Sequence, residues 1–434
     1  MKKSKLAIFG GKPVLKEPFK EYNTIGNQEL KAATKVMKNR VISDFLGAWN
    51  PKFFGGEYIQ KLELMVSKKF SIKHAVSFNS ATTALQAAVA AAGVGPGDEV
   101  ITSPYTMSAT ASSILLNGAV PVFADINDKT FSLDVESVKK NITKNTKAII
   151  VVNIFGGSTD FKKILPLARK HNLVVIEDNA QGIGGKYKNK FLGTIGDIGV
   201  ISFNVHKALQ SGEGGILITN NKKFAWRAQL VRNHGEVAVD TLYSQGEKYE
   251  PIVGSNYRMS ELHAAVAIEQ LKKINELVKP RIVLSDYLTK KLIKFNFIQT
   301  LEKVPNSIHV CYLYPFRFIA KHAPVKRETF AKAMELEGFP LSIGYEKPIY
   351  LMSLYQKKKM YPNSNFPFEY KNKKSKVSYK KGICPNVEKL HFKELLDTNI
   401  CNSQRTKKDI DLFIRAIEKV EQNFDELVKI EKNS

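Results

Sequence analysis

A lysine stands where the chain otherwise reads as buried core. Lys207, in SFNVHKALQSGEGG (202–215), follows the apolar run IGVI and precedes ILIT, and both runs read as strands. An ammonium group held out of water has a depressed pKa and becomes a usable nucleophile or base. Asp178 closes a second apolar run, LVVIED, where a carboxylate is costly unless it meets a cation or hydrogen-bond donors. A structural salt bridge or a cap for the next turn would explain it equally well. Ser80, Ala81, Thr82 and Thr83 open the alanine-rich stretch ATTALQAAVAAAG. Hydroxyls and free N–H groups at a helix start form an anion site, although a plain N-cap needs the same residues. The SGEGG that follows Lys207 lets the backbone turn tightly.

These residues fall at the ends of alternating elements. From about 75 to 220, the strand-like runs DEVITS, VPVFADI, AIIVVNIFG (148–156) and LVVIEDNA (173–180) alternate with helical stretches such as MSATASSILLNG and FKKILPLARKHN (161–172). IIVV and LVVI are continuously apolar, as expected of strands covered on both faces. The alternation predicts βαβ units and a mainly parallel sheet. In such sheets ligands sit at the carboxyl ends of the strands, which is where Asp178 and Ser202 lie. A long helix is expected around 261–295, after which the texture changes to short strands, loops and a closing helix near 407–428. The chain therefore reads as a large domain over 1–295, with the opening segment 1–40 packing on it, and a smaller C-terminal α+β domain over 296–434.

With 434 residues, 43% hydrophobic and 25% charged, the chain has the composition of a soluble globular protein. No apolar run approaches the roughly 18 residues of a membrane span. The opening MKKSKLAIFGGKP is expected to belong to the mature protein, because its apolar stretch is shorter than the roughly 7–15 residues of a signal peptide. Cys311, Cys384 and Cys401 are widely spaced, without a metal-like pair, and predict a reducing, cytoplasmic setting with neither disulfides nor a metal. The formal charge of +25 suits nucleic acid, anionic lipid or a phosphate-bearing small substrate. No zinc finger, helix-turn-helix or RNA-binding aromatic signature accompanies it, so nucleic acid is not expected. The excess is spread along the chain apart from KNKKSKVSYKKG (371–382), which reads as a solvated loop.

One cofactor requires a lysine, an acid and an anion site together. Pyridoxal 5′-phosphate (PLP) needs a lysine for its aldehyde, an acid against its pyridine nitrogen and a site for its phosphate. At this point the sequence resembles the DegT/DnrJ/StrS family of PLP-dependent sugar aminotransferases. The resemblance runs in order through LAIFGGKPV, FNSATTALQAA, GPGDEVITSPYT, VPVFADI, IEDNAQGIGG, SFNVHKALQSGEGGILIT, RNHG and GSNYRMSELHAAVAIEQL. It covers residues 6 to about 290 densely, and the remainder loosely through GYEKPIY and CPNVE. It implies an aspartate-aminotransferase-like fold (PLP-dependent transferase type I), with a mixed, mostly parallel sheet in the large domain.

Carried over by position, the resemblance makes Lys207 the lysine that bonds the cofactor and moves the proton. Asp178 becomes the partner of the pyridine nitrogen and Gln181 the neighbour of the ring oxygen. Ala81 and Thr82 stand where the family has Gly-Thr at the phosphate, and Ser202 matches a phosphate-binding hydroxyl. Asn256 matches an asparagine that reaches the phosphate from the second subunit of a homodimer. Met107 stands where relatives often stack an aromatic ring on the cofactor, and a thioether packs there more loosely. His234, Tyr345 and Lys347 lie where relatives meet substrate. Some relatives carry histidine at the lysine position and are sugar dehydratases; here Lys207 is present, with His206 one place earlier.

The expected activity is transfer of an amino group from glutamate or glutamine to a keto sugar, foremost a nucleotide-linked keto-6-deoxyhexose in surface-glycan biosynthesis. Two alternatives keep the amination and change the acceptor, to a scyllo-inosose-like keto-cyclitol or to the substrate of an aminohydroxybenzoate synthase. A PLP-dependent sugar dehydratase and a catalytically dead regulator stand further off, because Lys207 and Asp178 are both present.

Overall fold

The computed structural model describes residues 4–246 and 250–433. Seven strands form the central sheet: β1 (His74–Phe78), β2 (Glu99–Thr102), β3 (Val120–Phe123), β4 (Thr146–Val152), β5 (Val174–Asp178), β6 (Ile198–Ser202) and β7 (Gly215–Thr219). Their spatial order is β1-β7-β6-β5-β4-β2-β3, and β7 alone runs antiparallel to its neighbours. Strands β2, β3, β6 and β7 are buried along their whole length, because helices cover both faces. On one face Leu85, Ala88 and Val89 of helix Ala81–Ala91 and Ala228 of helix Lys222–Arg232 meet Val100, Ile150, Ile176 and Leu217. On the other, Phe161, Ile164 and Ala168 lie against Ile149, Val151 and Val175. Helices Glu57–Phe70 and Glu261–Lys272 cover Ile201, Ile216 and Ile218.

A second, antiparallel sheet pairs Ile298–Thr300, Tyr314–Phe318, Leu395–Thr398 and Ser342–Ile343 in that order. Its core gathers Phe297, Phe316, Phe330, Phe413 and Ile417, with Leu284 and Leu288 from helix Ile274–Leu292. Leu6 is buried in this same core, and Glu337 accepts from Ala7 N (2.8 Å) and Val14 N (3.0 Å) while paired to Lys419. Helix Asn27–Asn39 instead packs on Glu261–Lys272 of the large sheet's cover. The opening segment is thus shared between the two cores.

Residues 345–390 form a strap along β3, the edge of the large sheet. Ile349 N donates to Pro104 O (3.0 Å), Tyr379 OH to Pro121 O (2.7 Å), and Asn386 N and Val387 N to the Asp125 carboxylate (2.9 and 3.0 Å). The Phe123 ring meets Tyr350, Tyr355 and Tyr379 at 5.5–6.0 Å. A covered edge cannot template pairing with another chain.

Four expectations are corrected. The helix expected over 261–295 breaks at Lys273, whose ammonium turns to Thr24 O (2.9 Å) and Glu29. The closing helix breaks at Asn423, whose side chain donates to Lys419 O and Ser4 O. The strand expected over 148–156 stops at Val152, since Phe155 turns left-handed (φ 54°) and its N–H is taken by Gln181 Oε1 (2.6 Å). The 371–382 stretch is not simply a loop: Glu369–Tyr370 pairs with Lys373–Lys374 as a hairpin at the turn of the strap. Among the described residues no helix is long and apolar enough to cross a membrane, and no cluster of metal-ligating side chains occurs.

Candidate active site

The carboxyl ends of the parallel strands open onto one cavity of about 500 Å³. Asp178, the last residue of β5, lies at its wall, buried to 5% exposure. Its Oδ2 accepts from Thr110 Oγ1 (2.7 Å) and its Oδ1 from Ala180 N (3.2 Å). Burial pushes its pKa up, against the pull of these two donors and of the Lys207 charge. Both bonded donors are neutral, so among the described residues this buried carboxylate lacks a bonded cation. A ring N–H⁺ supplies one, and that is the first element of fit to PLP.

Lys207 follows β6 in a turn closed by Lys207 N to Asn204 O (2.9 Å) and Ser211 N to Phe203 O (2.8 Å). Its Nζ lies 4.6 Å from the centre of the Tyr312 ring. Burial lowers its pKa, and the Asp178 charge opposes that only in part. The ammonium therefore loses its proton more readily than a surface lysine, as a nucleophile or base requires.

The anion end is built by a close approach. A Cβ at Gly215, the first residue of β7, would fall 2.5 Å from Ala81 N, so glycine there lets helix Ala81–Ala91 start against the strand. Ser80 caps that helix, accepting from Thr83 N (3.2 Å), while the first N–H groups have no intrahelical acceptor. Ser80, Ala81, Thr82 and Ser202 line the cavity together. Hydroxyls and helix N–H groups at one end, with Asp178 and Lys207 beyond, are the arrangement a phosphorylated pyridine aldehyde fits.

Of the residues singled out in the sequence, Ala81, Thr82, Met107, Asp178, Gln181, Ser202, Lys207 and Tyr345 all line this cavity. Gln181 is fixed at both ends of its amide, its Oε1 accepting from Phe155 N (2.6 Å) and its Nε2 donating to Tyr345 OH (2.9 Å). Met107 is half exposed at the rim. Three residues lie off the wall. Asn256 is exposed, its backbone bridged to Asn233 and its Oδ1 accepting from Arg258 Nε (2.8 Å). His234 is left-handed (φ 54°) at the start of helix Gly235–Ser244, its ring against Gly47. Lys347 is exposed, one residue beyond the lining Glu346. Arg232, from the same RNHG, is structural: fully buried, it donates to Glu63 Oε1 (2.7 Å).

Sequence reasoning missed Thr110 and Tyr312. Thr110 is one hydroxyl of many in TMSATASS, with nothing to separate it from its neighbours. Tyr312 sits in the aromatic run CYLYPFRF, which reads as core. It reaches Lys207 because Cys311 turns left-handed (φ 52°) and Arg281 Nη1 holds the carbonyls of Cys311 (3.1 Å) and Tyr312 (3.2 Å).

The fold and this site define a PLP-dependent enzyme. A profile described as the DegT/DnrJ/EryC1/StrS aminotransferase family matches residues 35–380. The spore coat polysaccharide biosynthesis protein SpsC of Bacillus subtilis (strain 168) is 33% identical over 356 residues, 79% of this chain and 86% of that protein. A GDP-perosamine synthase of Caulobacter vibrioides is 36% identical over 263 residues, 60% of this chain and 69% of that one. The X-ray structure of an aminotransferase from Psychrobacter cryohalolentis superposes with a TM-score of 0.79 at 25% identity, over 94% of this chain and 100% of that one. The chain belongs to the DegT/DnrJ/EryC1/StrS aminotransferase family. It is a PLP-dependent aminotransferase with the fold of that class.

Proposed function

We propose that the enzyme moves an amino group from glutamate or glutamine to a nucleotide-linked keto-6-deoxyhexose, making an amino sugar for a surface glycan. The observation that carries the reading is a desolvated Lys207 and a buried Asp178 in one cavity, in a chain similar to a GDP-perosamine synthase and a polysaccharide-biosynthesis protein. PLP, when bound, supplies an electron sink for a carbanion at the donor's Cα. Lys207 Nζ takes the Cα proton of the donor and later returns a proton on the sugar side. Its lowered pKa places that exchange closer to neutral pH. Asp178, held in orientation by Thr110 and Ala180 N, would present its negative charge to the ring nitrogen. Ser80, Ala81, Thr82 and Ser202 would hold the phosphate, and Tyr345 and Gln181 brace one another in the cavity wall.

Two further parts belong to this reading. Asn256, exposed on one protomer, completes the phosphate site of its partner in a homodimer. The chain divides near residue 295 into a cofactor domain and a smaller C-terminal domain whose 345–390 strap returns to the large sheet, and it works in the cytoplasm, where its three buried thiols stay reduced.

The test is a two-stage absorbance experiment on the PLP-loaded enzyme. Glutamate or glutamine should discharge the visible cofactor band with release of one keto acid per site, and a nucleotide-linked 4-keto-6-deoxyhexose should restore it. Restoration by scyllo-inosose alone would move the acceptor to a cyclitol. A band that neither donor discharges would overturn the aminotransfer reading.

A further inference from the structure

The strap that seals β3 carries more charge than sealing an edge requires. Between residues 357 and 381 it holds nine lysines and a single acid, Glu369, and no arginine. Lys371, Lys373, Lys374 and Lys376 are exposed, and among the described residues none of them forms an ion pair. The charge is held in place. Glu369–Tyr370 pairs with Lys373–Lys374, Ser375 N donates to Phe368 O (2.7 Å), and Lys358 Nζ donates to Val377 O (2.6 Å). At the hairpin tip Lys371 and Asn372 are both left-handed (φ 49° and 58°). Glycine or asparagine takes that conformation at little cost, whereas a lysine there is strained.

The hairpin lies away from the active site. The Tyr370 ring sits 3.3 Å from the Cβ position of Gly97, just before β2, and the Phe366 ring packs at Gly118, just before β3. Both contacts are at the amino ends of the strands, while Asp178 and Ser202 lie at the carboxyl ends. Exposed Lys144 and Lys147 flank the amino end of β4 and extend the same basic face. The longest strand, β4, runs roughly 20 Å between the two ends. These lysines therefore serve neither the cofactor nor a substrate in the cavity of their own chain.

We propose that this end of the molecule is a docking surface for an anionic lipid bilayer. Lysine ammonium groups are compact point charges suited to a diffuse field of headgroup phosphates. A nucleic-acid reader would instead be expected to show arginine forks and exposed rings for stacking. The strap has no arginine, and Tyr361 is its one large exposed ring among the described residues. A single ring beside Lys359 suits the headgroup level of a bilayer. Docked in this way, the enzyme turns its cofactor cavity away from the membrane and leaves it open.

The test sediments the PLP-loaded, full-length enzyme with phosphatidylcholine vesicles, with and without phosphatidylglycerol. Binding should require phosphatidylglycerol and disappear at high salt. The triple variant Lys371→Gln, Lys373→Gln, Lys374→Gln should bind about a hundredfold more weakly, at several-fold per lysine, with its cofactor absorbance and turnover unchanged. Neutralising Lys31, Lys35 and Lys38 on helix Asn27–Asn39 removes the same charge elsewhere and should change binding little. Equal losses in the two triple variants would overturn the proposal in favour of net charge. No sedimentation with phosphatidylglycerol, or release of the enzyme from vesicles by a slight amount of polyuridylate RNA, would overturn it as well.

Discussion

Asp178 and Lys207 are tuned by burial in opposite directions, so each moves toward its neutral form in the free chain. Thr110 is the counterweight at the acid, because its hydroxyl donates to the charged form of Asp178. Thr110→Val removes that donor and should raise the Asp178 pKa further. The acid limb of the pH–rate profile should then move upward by about one pH unit, as a hydrogen bond to a charge is worth roughly 1.5–3 kcal/mol. A profile that keeps its acid limb while turnover falls would assign Thr110 to packing alone. Lys207→Ala should lower the rate of the donor half-reaction by roughly 10²–10⁴ through loss of the base, measured by stopped-flow absorbance. Added methylamine should restore part of that rate.

Strand β5 ends on two acids with separate duties. Glu177, one residue before Asp178, is fully buried and accepts from Gly193 N (2.7 Å), Ile195 N (2.6 Å) and Gly196 N (2.7 Å). It folds the 193–196 turn onto the strand and so holds the backbone that aims Asp178. Burial still raises its pKa, although three backbone donors oppose it. Glu177→Ala should leave three N–H groups without their acceptor, the buried Gly193 N among them, and lower stability by on the order of 3 kcal/mol in urea unfolding. PLP affinity should fall with it. In sequence, ED reads as one acidic strand end, and which acid faces the cavity depends on the side of β5 that each side chain takes. The break at Lys273 was hidden for a related reason. Its causes, Thr24 and Glu29, lie some 240 residues earlier in the chain.

Across the whole molecule, the smaller sheet contains an acid at odds with its surroundings. Asp397 is buried, its Oδ2 has no hydrogen-bond partner among the described residues, and burial raises its pKa to about 7. The folded state thus holds a proton that the unfolded chain releases near pH 4. Stability from this group is full below about pH 4 and is lost as pH rises to about 7. Asp397→Asn should raise the unfolding free energy by on the order of 3 kcal/mol at about pH 8 and by little at about pH 4, read from urea titrations at both. The proposed dimer has its own test. Mixing inactive Lys207→Ala with Asn256→Ala, then unfolding and refolding them together, should return up to a quarter of wild-type activity, because half the dimers gain one intact site. No recovery would place Asn256 outside the partner's site.

The strands and helices of the cofactor region were legible because a both-sided parallel sheet demands continuous apolar runs, and IIVV, LVVI and ILIT supply them. Lys207, Asp178, Ser202 and the helix start at Ala81 were legible because the rule placing ligands at strand carboxyl ends names positions from local pattern alone. Tyr312 against Lys207, Thr110 on Asp178, the shared opening segment and the strap along β3 were not. Each joins residues far apart in the chain, through packing that no local period or residue type encodes. The family motifs and local chemistry reside in the sequence; which distant side chains surround them was decided only by the tertiary fold.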